Sequence, residues 1–152
     1  MKTKHLFYML FFVVLAVGGL SCKNDIDENL VPIVPVNVRV NMELPAYFDL
    51  RFPGNYVYIN DRGHKGITVI HGFDGEFYAT DRTCPYEPFE ECSRVELGSD
   101  FTFRCGSRVN GVFQKCCSST FQYDGILTNG PATFDLRRYR VFKSGNILDI
   151  TN

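Results

Sequence analysis

The strongest constraint on this chain is a period of two. Val36, Val38, Val40, Met42 and Leu44 alternate with Asn37, Arg39, Asn41 and Glu43, which predicts a strand with one buried face. Pro45 ends it, because proline donates no ladder hydrogen bond. Short apolar runs then recur between turn residues. Pro53-Gly54-Asn55 precedes a run over 56–60. A polar loop over 61–66 precedes a run over 67–70. Asp74-Gly75 leads into Phe77, Tyr78 and Ala79. Further on, 101–103 and 109–113 predict a small hairpin, with Asn110-Gly111 as a turn element. Arg140-Val141-Phe142 and 147–150, around Gly145, predict a final one. Short strands with turns every eight to twelve residues mean an all-β antiparallel barrel or sandwich. Hydrophobic residues make up 45% of the 152, enough for one core and too many for a disordered chain. No amphipathic helix of useful length and no internal repeat is evident.

The N-terminus is built differently. Lys2 and Lys4 precede residues 6–20, which carry no charge. As a helix that stretch rises roughly 22 Å, short of the hydrocarbon core of about 30 Å, so it reads as a secretory signal rather than a span. It ends in Gly19-Leu20-Ser21-Cys22, which resembles a bacterial lipobox. That resemblance implies lipidation at Cys22 and export, with anchorage in the outer membrane. In a usual lipobox leucine stands three places before the cysteine; here Gly19 does. The acidic run Asp25-Ile26-Asp27-Glu28 is similar to the surface-export signal of Bacteroidetes-type lipoproteins, or is a solvated tether. The expected organisation is a signal peptide over 1–21, a lipidated cysteine and flexible tether over 22–35, and a β domain over 36–152. With a net charge of −1 and no basic stripe, nucleic-acid binding has no electrostatic support.

Five cysteines remain beyond Cys22: Cys84, Cys92, Cys105, Cys116 and Cys117. Outside the cytosol they tend to oxidise, and an odd count leaves one unpaired within the chain. The Cys-x-x-Cys spacing of structural zinc and of thioredoxin-like redox sites is absent. Glu87, Glu90 and Glu91 read as solvated loop charges. Ser118, Ser119 and Thr120 have no partnered histidine nearby in sequence, so nucleophilic hydrolysis is unsupported. Tyr47, Phe48, Tyr56, Tyr58, Phe101 and Phe103 read as β-core and cross-strand residues, or as a binding face. His64, in a polar turn, and His71, at a strand end, read as solvated surface residues.

Residues 54–152 resemble a Rieske iron–sulfur domain. In that family one loop supplies Cys-x-His and a second supplies Cys-x-x-His, followed by Gly-Ser-x-Phe, a Gly-Pro-Ala segment and a terminal hairpin. This chain has Cys84-Pro85-Tyr86, then Gln114-Lys115-Cys116-Cys117-Ser118-Ser119-Thr120-Phe121, Gly130-Pro131-Ala132 and Tyr139-Arg140-Val141. Aligned so, Tyr86 stands at the first histidine position, Gln114 at the second-loop cysteine and Cys117 at the second histidine. Of the four family ligands only Cys84 survives. The two histidines of a Rieske cluster bind one iron; tyrosine does not replace imidazole, nor glutamine thiolate.

The resemblance also implies a disulfide pairing. Respiratory members tie the two loops together, which places Cys92 with Cys116. Cys84 and Cys117 would both face the cluster and, without one, could bond to each other, leaving Cys105 free in the inserted hairpin. The reading is a non-enzymatic envelope lipoprotein without a cofactor. It is held to the membrane by its lipid and binds an unnamed envelope protein or ligand. The alternative is an electron-transfer protein with a [2Fe-2S] cluster on Cys84, Cys92, Cys116 and Cys117. Cys116 and Cys117 are awkward as joint ligands, since neighbours in extended chain point to opposite faces.

Overall fold

The computed structural model describes residues 30–152, so Cys22, the signal stretch and the acidic run lie outside the described residues. The ten strands are β1 (Asn37–Asn41), β2 (Tyr56–Ile59), β3 (Ile67–His71), β4 (Phe77–Asp81), β5 (Val95–Leu97), β6 (Thr102–Val109), β7 (Val112–Gln122), β8 (Leu127–Asn129), β9 (Arg138–Ser144) and β10 (Ile147–Thr151). They form two antiparallel sheets. The larger has the order β1-β10-β9-β4-β3-β2, and the smaller β5-β6-β7-β8. Among the described residues no helix is long and apolar enough to cross a membrane.

The expected alternation operates in β1. Val36, Val40 and Met42 are buried and Val38 is partly so, while Asn37 and Arg39 are exposed. They pack with Ile67, Val69, Leu148 and Ile150 into the core of the larger sheet. Leu44 breaks the pattern at 50% exposed, because the strand stops at Asn41. Pro45 does more than end it: it opens a 3-10 helix, Pro45–Arg51, whose Leu50 caps the core. Proline suits that first turn, where its missing N–H would have no partner. Residues 30–35, expected as tether, are not free of the domain. Val31 is buried, its carbonyl accepts from the Arg137 guanidinium, and the Val34 carbonyl accepts from Asn152 at 3.1 Å.

The smaller sheet has its own core, with Phe103 and Phe121 fully buried among Ile70, Val95 and Leu97. The expected hairpin around Asn110-Gly111 is present but much longer, running from Thr102 to Gln122. Thus the expected second cysteine loop belongs to β7. It survives as a wide bulge. Between the pairs Arg104–Thr120 and Gly106–Lys115, β6 takes two steps while β7 takes five. Gly106 makes this possible at φ +147°, where an added Cβ would sit 2.3 Å from the Gln114 carbonyl. Cys116 and Cys117 lie in the bulge, opposite Cys105.

One buried ion pair fastens one sheet to the other, and a buried carboxylate holds the end of the larger sheet. Arg82, 3% exposed, pairs with Glu96 at 2.7 Å, donates to Asn60 at 2.8 Å and lies over the Tyr58 ring. The Asp81 carboxylate is fully buried. It accepts from the His64 N–H, Thr83 N–H and hydroxyl, and the Tyr139 hydroxyl at 2.5–2.8 Å. So many donors replace the water that a buried carboxylate loses. Of the six aromatics considered for a binding face, Phe103 is core and Tyr58 stacks under Arg82, whereas Phe48 and Tyr56 are exposed.

Candidate functional site

The first cysteine loop, residues 84–93, closes on itself at its base. Thr83 bridges to Arg94, and the Cys84 N–H donates to the Ser93 carbonyl at 3.3 Å. The buried Ser93 hydroxyl donates to the carbonyls of Cys84 and Tyr86, at 3.0 and 2.8 Å. This loop therefore holds Cys84 inward under Tyr86 and leaves Cys92 at its outer end. The bulge of β7 meets it from the other side. Because Cys116 and Cys117 are neighbours in extended chain, they point to different partners. Cys116 forms a disulfide with Cys92, with Cα atoms 5.5 Å apart. Cys117 turns inward, its sulfur 3.7 Å from that of Cys84.

Cys84 and Cys117 are both free thiols here, in contact but unbonded. Cys105 joins them. The three sulfurs all lie within 4.8 Å of one another. Cys84 and Cys105 are buried and Cys117 is half-buried. Their setting is apolar, the core of the smaller sheet. The neighbouring Cys105 thiol is the main influence lowering the Cys84 thiol to about 7, against the desolvation that opposes it. The nearness of Cys84, with burial, pushes Cys105 well up. Ser119 steadies the third sulfur. Its N–H donates to Cys117 Sγ at 3.4 Å, and its hydroxyl meets that sulfur at 3.2 Å while accepting from the Ala132 N–H at 3.0 Å. The Gly130-Pro131-Ala132 segment thus lies directly on the bulge. A Cβ at Gly130 would stand 2.3 Å from the Ser119 Cα, so only glycine permits the approach.

The sequence-predicted positions divide. Cys84 and Cys117 come together and Tyr86 packs beside them. Gln114 does not join them. It pairs with Ser107 on the exposed arm of the hairpin. There it lines an open cleft of about 720 Å³ with Lys65, Phe89, Glu90, Glu91 and Arg94, alongside Cys92. The expected ligand set also changes: Cys92 and Cys116 are bonded to each other, and Cys105 is the third thiol. Sequence reasoning missed that role for Cys105. The signal was the period of two in β6, where Phe103 and Cys105 share a buried face.

Neither histidine is the solvated residue expected. His71 is buried, its Nδ1 2.9 Å from the Leu50 carbonyl and its ring stacked on Phe77. His64 is half-buried, its Nδ1 3.1 Å from the Thr83 hydroxyl. The packing of the 3-10 helix and the first cysteine loop over these strand ends accounts for both. Neither imidazole belongs to the sulfur group.

The architecture has a counterpart in the crystal structure of the cyanobacterial plasma membrane Rieske protein PetC3 from Synechocystis PCC 6803. The TM-score is 0.50 and the identity 21%, and the match covers 79% of this chain and 100% of that one. The fold is Rieske-like. No protein-family model matches the sequence, and no curated protein matches it either. What the Rieske-like fold carries here differs from what a Rieske cluster needs. Such a cluster takes two thiolates on one iron and two imidazoles on the other. The positions that the sequence resemblance assigns to the four ligands hold Cys84, Tyr86, Gln114 and Cys117, and among the described residues no imidazole accompanies the three thiols. A histidine-ligated cluster therefore does not fit these residues.

Proposed function

We propose that this chain is a non-enzymatic, lipid-anchored envelope protein in which a Rieske-like domain serves as a binding or structural scaffold without its cluster. The observation that carries this reading is the substitution of both imidazole positions, by Tyr86 and Cys117. The Cys92–Cys116 disulfide supports it, because it fastens the two former cluster segments covalently and takes two thiols out of use. The cleft beside that bridge supports a binding role. It presents Phe89, 69% exposed, between cations and carboxylates. An exposed aromatic framed by polar groups suits a protein or small organic ligand better than a polyanion. Anchorage would come from a lipid on Cys22, in the outer membrane and at the cell surface if the acidic run acts as an export signal.

Electron transfer through an atypical [2Fe-2S] cluster is the second reading. What favours it is the convergence of Cys84, Cys105 and Cys117 at the cluster end of the fold. The deciding experiment is iron and acid-labile sulfide per chain, on full-length protein from an anaerobic culture. The scaffold reading expects colourless protein with neither above trace. Stoichiometric iron and sulfide would overturn it in favour of electron transfer.

A further inference from the structure

Five cysteines crowd this end of the molecule, yet the disulfide removes only Cys92 and Cys116. The remaining three come from separate segments: Cys84 from the first loop, Cys105 from β6 and Cys117 from the bulge of β7. Their sulfurs converge on one point. Three sulfurs arranged in a plane around an ion at a metal–sulfur distance of about 2.3 Å stand roughly 4.0 Å apart. The observed spacings, 3.7 Å for Cys84–Cys117 and at most 4.8 Å for any pair, bracket that value and need an adjustment of at most about 0.8 Å. The donors are soft, and the walls are the apolar side chains of Ile70, Val95, Leu97 and Phe121. Hydrogen bonds from the Ser119 N–H to Cys117 and from the Ser93 hydroxyl to the Cys84 carbonyl hold two of the three in place.

We propose that Cys84, Cys105 and Cys117 form a three-sulfur site for a single soft metal ion, monovalent copper. Hard cations are excluded by the donor set, since magnesium and calcium take oxygen ligands. Zinc prefers four ligands, and among the described residues no imidazole or carboxylate joins this group to supply a fourth. Monovalent copper is selected by thiolates and is satisfied by three of them. Binding changes no oxidation state. Each thiol that becomes a ligand gives its proton to solvent, and copper enters and stays as Cu(I). Entry is from the side of Cys117, the one member that is not fully buried.

The test is an anaerobic titration of the full-length chain in detergent, its Cys92–Cys116 disulfide kept intact, with Cu(I) against a chromophoric Cu(I) chelator. The expected result is one Cu(I) per chain withheld from the chelator, with three sulfur neighbours by X-ray absorption. All three free thiols should then be protected from alkylation, a readout that needs no variant. Cys105→Ser should weaken retention at least tenfold, while equimolar Zn(II) should not displace the copper. Failure to hold copper against the chelator would overturn the proposal. So would a two-sulfur environment, displacement by zinc, or unchanged retention in folded Cys105→Ser. Copper failure with iron and sulfide absent would sink this inference alone and leave the scaffold reading standing. Stoichiometric iron and sulfide in the isolated chain would sink both.

Discussion

At the scale of single residues, the informative positions are buried polar groups. Arg82 is almost wholly buried, and Glu96 is its only ion-pair partner among the described residues. Burial lowers the Arg82 pKa, the neighbouring Glu96 opposing that shift. Removing the carboxylate would strand a buried charge, so Glu96→Ala should destabilise by about 3 kcal/mol in urea unfolding, and Glu96→Gln by less. The tyrosines make a pH prediction. Burial pushes Tyr58 up to about 12, although its oxygen accepts from the Leu97 N–H, and burial and Asp81 raise Tyr139 as well. Each phenol keeps its proton in the folded chain after the unfolded chain, titrating near 10, has lost it. The stability they contribute is thus complete below pH 10 and is lost as pH rises through about 12. Unfolding free energies across pH 9–12 should fall, and Tyr58→Phe should flatten the fall. An unchanged slope in that variant would remove Tyr58 as a cause.

At the scale of elements, the β6–β7 hairpin decides what this end of the fold can do. Its pairing is continuous except at the bulge, and the bulge is where Cys116 and Cys117 separate. One cysteine turns out to the disulfide and the next turns in to the thiol group, which a regular strand also does but without room for both partners. The Cys92–Cys116 bridge closes a segment of sequence separation 24. Chain entropy alone makes such a closure worth about 3.5 kcal/mol. The double variant Cys92→Ser/Cys116→Ser should lower the urea midpoint by a corresponding amount. A change under about 1 kcal/mol would mean that the loops hold each other without the bridge.

At the scale of the whole molecule, two sheets with separate cores are joined through shared neighbours. Adjacent residues Val69 and Ile70 of β3 belong to different cores. The Arg82–Glu96 pair ties the end of β4 to β5 and so joins the sheets, while Asp81 ties Thr83, at the base of the first cysteine loop, to Tyr139 of β9. In the proposed reading, attachment to a membrane depends on Cys22. Cys22→Ala should abolish labelling by radioactive palmitate and move the protein from the membrane fraction to the soluble fraction. Retention in the membrane fraction without label would replace the lipid anchor by another attachment.

Local patterning determined a good deal. The period of two in β1 and the turn residues Asp74-Gly75, Asn110-Gly111 and Gly145 are short-range signals, and strand pairing followed them. The order of fragments around Cys84, Gly130 and Tyr139 was enough to name the fold. Tyr86 and Cys117, at the two places where the resemblance expects histidine, were legible as departures from the family pattern. The grouping of thiols was decided by tertiary structure alone. Cys105 stands 21 residues from Cys84 and 12 from Cys117, and its place depends on how β5, β6 and the bulge of β7 register. The same holds for His71, which looks like a solvated strand end until the 3-10 helix brings the Leu50 carbonyl onto its ring. Backbone hydrogen bonding and side-chain alternation act over a few residues and are written locally. Which side chains finally touch depends on the summed packing of two sheets, and no short window of sequence contains that information.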